Sequence, residues 1–99
     1  VALSSPRKES HIPLWEQELS AGAAGMNLLH AANAMGFGAG WLTGWAAYSA
    51  AVRDAFGTPD ERIAGFIFIG TPGEAFKPRP RPDMADVLSV WDGAPHPRA

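Results

Sequence analysis

From Leu19 to Val52 this chain carries no aspartate, glutamate, lysine or arginine, which leaves His30 as the one side chain there able to take a positive charge. A stretch so poor in charge has to be covered, either by lipid or by the rest of a protein core. A membrane-spanning helix needs about 20 predominantly apolar residues in a row. Here Ser20, Asn27, His30, Asn33 and Thr43 interrupt the run, and glycines cluster where such a helix would have to continue. The stretch therefore reads as a buried helix followed by a glycine-rich connection.

The helix is expected to start near Pro13, where the missing N–H costs nothing in a first turn. Glu16 and Glu18 put negative charge near the positive end of its dipole. It runs through Leu19, Met26, Leu28, Leu29 and Met35, and Gly36 supplies a left-handed stop. Ser20 to Gly25 are all small, so the spacing predicts a crowded helix–helix contact, within the fold or across a dimer. Asn27, His30 and Asn33 recur every three residues as a polar line. No second histidine or acid lies at ligand spacing from His30, so these side chains read as hydrogen-bonding groups at a packed interface rather than a metal site. His11 precedes the helix and His96 falls in a loose tail.

The connection reads Gly36-Phe37-Gly38-Ala39-Gly40-Trp41-Leu42-Thr43-Gly44-Trp45. Interleaved glycines let backbone approach a flat ligand, while tryptophans offer stacking faces; the plainer alternative is a tight helix-to-strand connection with tryptophans in the core. The glycines do not match the G-x-G-x-x-G dinucleotide fingerprint, which follows a strand and opens a helix. Downstream, Ser49 caps a short helix closed by Gly57. Thr58-Pro59-Asp60-Glu61 matches a capping box that would open one helical turn. Ile63 to Ile69 is apolar at both parities, which predicts a strand buried on both faces. Gly70-Thr71-Pro72-Gly73 ends it in a turn. Val87 to Trp91 is expected to form a further short segment, and Asp92 to Ala99 a frayed tail. Lys77-Pro78-Arg79-Pro80-Arg81-Pro82 is basic, and its two-residue proline spacing does not fit a PxxP ligand. On an extended backbone Arg79 and Arg81 point to one side and could present two guanidinium groups to a phosphate.

These 99 residues suffice for one small domain, and 46% hydrophobic with 18% charged residues describes a globular chain. A net charge of -2 gives no general attraction to nucleic acid or anionic lipid. The absence of cysteine excludes disulfides, thiolate metal sites and cysteine nucleophiles, and fits a cytoplasmic location. Val1 to Lys8 lacks the order of a secretory signal and reads as a short strand entered from upstream, so the chain is expected to be part of a longer precursor. No acid–base or nucleophile constellation is visible, and an enzyme built on this chain would need a cofactor to carry its reaction.

The ordered series Trp15-Glu16-Gln17-Glu18, Ala23-Ala24-Gly25-Met26-Asn27-Leu28-Leu29, Gly36-Phe37-Gly38, Trp41-Leu42-Thr43-Gly44, Arg53-Asp54-Ala55-Phe56-Gly57, Ile63-Ala64-Gly65-Phe66, Gly70-Thr71-Pro72 and Arg79-Pro80-Arg81-Pro82 resembles the C-terminal half of a nitroreductase-family flavoprotein. It is most similar to the short, bacterial YdjA-like branch. The resemblance runs from about Val1 to Trp91. It implies an α+β fold in which a long central helix packs on an antiparallel-type sheet, residues 1–99 being the C-terminal part of one domain. A missing N-terminal segment of the same precursor and a homodimer partner would complete it.

The resemblance further implies an FMN-dependent oxidoreductase that takes hydride from NAD(P)H and passes electrons to a nitroaromatic, quinone or similar small-molecule acceptor, with no nucleic acid and no membrane involved. Carried over by motif, Trp41, Leu42, Thr43 and Gly44 line the isoalloxazine ring, with a backbone N–H near Gly44 facing N5, while Arg79 and Arg81 hold the phosphate. The family's basic Arg-x-Ser-like segment has no match in this chain, so half of the flavin pocket is absent and the polypeptide alone is expected to bind FMN poorly. A competing reading is a non-catalytic interaction domain that completes a partner's fold. A third is a flavin binder without redox activity.

Overall fold

The computed structural model describes residues 1–57, 59–75 and 77–95. In chain order these form β1 (Ala2–Pro6), α1 (Leu14–Ala34), β2 (Gly38–Leu42), a 3-10 turn (Trp45–Tyr48), α2 (Ala50–Phe56), β3 (Glu61–Gly70) and α3 (Met84–Val87). The sheet has the order β1-β3-β2, with β3 antiparallel to both neighbours. This is the expected α+β architecture of one long helix on an antiparallel sheet.

The ends of α1 follow from local chemistry. Pro13, at φ −56°, precedes the first turn, and its carbonyl accepts from the Gln17 N–H at 3.2 Å. At the other end Gly36 takes φ +88°. The Gly36 N–H then reaches the Asn33 carbonyl at 3.0 Å, and the Phe37 N–H reaches Ala32 at 3.0 Å. This paired closure satisfies carbonyls that the last turn would otherwise leave open. It also reverses the chain so that β2 runs back along the helix. Ser49 caps α2 as expected, accepting from the Val52 N–H at 3.4 Å, and Gly57 ends that helix.

One face of the sheet meets α1. Ile63 and Ile67 on β3 and Ala32 on the helix are buried, Ile67 almost completely at 1% exposure. Gly25 is the helix's point of closest approach. A Cβ there would lie 2.6 Å from Trp41 Cη2 and 2.8 Å from Leu3 Cδ2. Within this chain the small residues of α1 therefore admit a ring and a strand side chain rather than a second helix.

Four sequence expectations need correction. The glycine run is not merely a connection, because Gly38–Leu42 is an edge strand paired with β3, Gly38 opposite Gly70 and Leu42 opposite Phe66. β3 is buried on one face only: Phe56 of α2 meets Phe66 edge-on, with ring centroids 6.1 Å apart, but Phe68 stays 63% exposed. Its all-apolar pattern demands cover on both faces, and these residues supply a full layer on one. Glu61 opens β3 and so does not sit in a helical turn; Thr58, the proposed cap, lies outside the described residues. The last short helix is Met84–Val87, slightly ahead of the expected Val87–Trp91.

All described residues from Phe68 onward are exposed. The radius of gyration, 17.5 Å, exceeds the roughly 13 Å of a compact chain this long. The apolar content is real, but much of it faces outward, Trp15, Leu19 and Met26 on α1 included.

Candidate functional site

Trp41 is the pivot of the glycine-rich segment. It pairs with Ile67 across the β2–β3 ladder, and its indole turns into the molecule. A Cβ on Gly25 would collide with one edge of the ring, and a Cβ on Gly65 with the other. Gly65 owes its place to a β-bulge: Leu3 pairs with Gly65 and Ser4 with Ile63, leaving Ala64 as the extra residue on β3. A bulge leaves such a residue out of the ladder. The Ala64 carbonyl accepts instead from Trp41 Nε1, at 3.1 Å. Gly65 takes φ +159°, a conformation that side-chain-bearing residues rarely adopt. Sequence reasoning offered Trp41 as a stacking face and passed over its seat. A glycine inside an otherwise β-branched and aromatic strand was the signal available.

Beyond Trp41 the chain leaves the sheet. Leu42 is 55% exposed, and Thr43 and Gly44 are exposed as well. Gly44 adopts φ +67° and turns the chain into the 3-10 turn. Neither Thr43 nor Gly44 donates a backbone hydrogen bond to another described residue. Apart from Gly44 itself and its two chain neighbours, no described atom lies within 4 Å of where a Gly44 Cβ would stand. The segment thus offers peptide N–H groups beside open space. Thr43 also lines a cleft of about 340 Å³ with Trp15 and Tyr48. Glu18 and Arg62, which also line it, form an ion pair from α1 to β3 at 3.3 Å.

A second, shallower groove of about 550 Å³ lies at the opposite end of β2. There Gly38, Ala39 and Gly40 face Thr71, Gly73 and Lys77. The structure therefore brings the glycine run next to the start of the basic segment. Arg79 and Arg81 follow on irregular, exposed chain. Among the described residues no hydrogen bond or ion pair joins them to Thr43 or Gly44. The two parts of the expected site leave the β2–β3 ladder from opposite ends: Thr43 follows Leu42, opposite Phe66, whereas the tail departs after Gly70 of β3, opposite Gly38. His11, His30, Asn27 and Asn33 are all exposed. No group of three or more potential metal ligands occurs among the described residues, and no helix is long and apolar enough to cross a membrane.

The sequence model of the Nitroreductase family matches residues 2–71, from β1 through the whole of β3. The chain belongs to the Nitroreductase family. YdjA of Escherichia coli (strain K12), named as a candidate NAD(P)H nitroreductase, is 48% identical over 67 residues, 66% of this chain and 37% of that protein. A Haemophilus influenzae protein named in the same way is 43% identical over 61 residues, 61% of this chain and 33% of the relative. The fold is also that of a nitroreductase-like family protein from Bacillus cereus. It superimposes with a TM-score of 0.77 at 21% identity, over 91% of this chain and 49% of that one. This family member thus spans about a third of the length of these curated relatives and about half of the solved structure.

Proposed function

We propose that this chain contributes the C-terminal part of an FMN-dependent oxidoreductase that draws hydride from NAD(P)H and reduces a nitroaromatic, quinone or similar acceptor. The observation that carries the reading is the family match over residues 2–71, which includes Trp41-Leu42-Thr43-Gly44 with its unengaged peptide donors. Bound FMN would supply the two-electron chemistry, which accounts for a chain without an acid–base pair. The residues present fit such a group on one side: among the described residues the peptide N–H groups of Thr43 and Gly44 donate no backbone hydrogen bond, Gly44 stands beside open space, and no hydrogen bond or ion pair engages the Arg79 and Arg81 guanidinium groups.

In this reading Leu42, Thr43 and Gly44 border the ring edge, and Trp41 contributes through its backbone. A fixed N–H donor at the ring's reactive nitrogen favours charge that develops there and needs no titrating side chain. Arg79 and Arg81 neutralise the phosphate. Those arginines and the ring edge meet in one cofactor only if the exposed tail folds back, or if the site is shared between chains. The outward Trp15, Leu19 and Met26 of α1 support a homodimer seam, and the uncovered face of β3 supports packing by an N-terminal segment of the same precursor. A cytoplasmic location is part of the proposal, and the absence of cysteine from these 99 residues fits it.

The experiment is spectroscopic. The full-length protein should purify with a flavin absorbance band that bleaches when NADPH or NADH is added anaerobically. A full-length preparation that takes up no FMN at any concentration would sink the proposal.

A further inference from the structure

We infer that Trp41 is a positioning residue: clamped between Gly25 and Gly65 and tied to the Ala64 carbonyl, its indole fixes the direction in which β2 delivers the peptide N–H groups of Thr43 and Gly44. The inference rests on the flavin reading above and adds to it a residue that acts from behind the site. Side chains alternate along a strand, so Trp41 turns into the core while its backbone continues toward the exposed Thr43. The ring is restrained on three sides. Gly25 closes it from the helix, Gly65 closes it from the sheet, and the 3.1 Å hydrogen bond from Nε1 to Ala64 fixes its rotation. A ring held in this way resists any roll of the strand end about its own axis.

Few other restraints act on this segment. Among the described residues, no side-chain hydrogen bond involves any residue between Trp41 and Ser49. Gly44, at φ +67°, is a backbone position that cannot enforce direction by itself. The indole and the Ser49 cap are thus the loop's two side-chain hydrogen-bonding pins, beside the packing of the 3-10 turn on β3. Placement here is decisive, because a shift of about 1 Å at a reacting centre can cost on the order of a hundredfold in rate. The three contributing elements are distant in sequence, but the bulge on β3 provides both the carbonyl and the glycine that the ring requires.

The test uses the flavin-loaded full-length protein with Trp41→Phe, which keeps an apolar ring and removes the N–H donor. The expected result is a folded protein, by far-ultraviolet circular dichroism, whose FMN dissociation constant rises about tenfold, the scale of one hydrogen bond. At saturating FMN its midpoint potential should move to a more negative value, a shift that a purely structural role would not produce. Gly25→Ala, which presses on the ring from the helix and keeps the N–H, should move the potential in the same direction and serves if Trp41→Phe fails to fold. Unchanged affinity and potential in the folded variants, with wild type flavin-loaded, overturn the positioning role alone. A wild type that never binds FMN overturns the flavin reading on which it rests.

Discussion

Two glycines three residues apart in α1 should respond to alanine with opposite signs. In an exposed helix interior, Gly→Ala stabilises by about 0.5–1 kcal/mol, because alanine loses less backbone entropy on folding. Gly22 is half-buried, but beyond the helix's own backbone no atom lies within 4 Å of where its Cβ would stand, so the gain applies there unopposed. At Gly25 the same gain competes with a Cβ 2.6 Å from Trp41 Cη2 and 2.8 Å from Leu3 Cδ2. Forcing an extra carbon into a filled contact costs about 1–3 kcal/mol. Displacing the indole also endangers its bond to Ala64, worth about 0.5–1.5 kcal/mol. Overpacking wins, so Gly25→Ala should destabilise by about 1–2 kcal/mol while Gly22→Ala stabilises, a gap of about 2 kcal/mol between the variants. Urea denaturation followed by circular dichroism on both variants and wild type measures it. If Gly25→Ala matches or exceeds wild-type stability, then Trp41 does not pack against α1 as described and the seat of the indole is wrong.

Other substitutions test separate parts of the structure. Ile67→Ala empties the most buried side chain, at 1% exposure, and should cost about 2–5 kcal/mol in the same denaturation assay. Glu18→Gln removes an ion pair whose side chains are 31% and 55% exposed; the loss should stay within about 0.2–1 kcal/mol and shrink further in high salt. Arg79→Ala or Arg81→Ala in the full-length protein should weaken FMN binding by a factor of about ten to a hundred, from about 1.5–3 kcal/mol per charge-assisted bond. A fluorescence titration with FMN reads that change, and tight binding by both single variants and the double variant would remove the arginines from the phosphate site.

The sequence made some features legible because local chemistry dictates them. Pro13, Gly36, Ser49 and Gly57 each mark a helix end through a property of the residue itself, and the structure uses all four. What escaped was the non-local part. Gly38–Leu42 looked like a connection because glycine carries no strand preference; it becomes a strand because β3 offers a ladder on that side. The parity of Ile63 to Ile69 announced burial on both faces, but parity is blind to whether the covering layer lies in the same stretch of chain. The indole seat needed three separate facts, namely a helix glycine, a bulge glycine and a tryptophan on a third element, and no spacing rule joins them.

The pattern of what is satisfied and what is not indicates the kind of completion this chain requires. β3 is paired with β1 along its first half and with β2 along its second, and only Phe66 stands in both ladders, so each half keeps one open edge. Side chains add a second demand: Phe68 on the sheet and Trp15, Leu19 and Met26 on the helix face outward. Adding strands alone would extend the sheet and leave those faces bare. Covering them takes a layer on the second face of β3 and another on the outer side of α1. A domain is two or three packed layers around a core, and these residues supply one helix layer and one sheet. The curated relatives, of which this chain spans 37% and 33%, have ample length for the missing layers. The Trp41 seat is different, because its contacts to Gly25, Gly65 and Ala64 are closed within the chain. The direction of the Thr43–Gly44 backbone can therefore be set by these residues before anything covers the outer faces, whereas the proposed phosphate grip of Arg79 and Arg81, on exposed irregular chain, would depend on what packs against the tail.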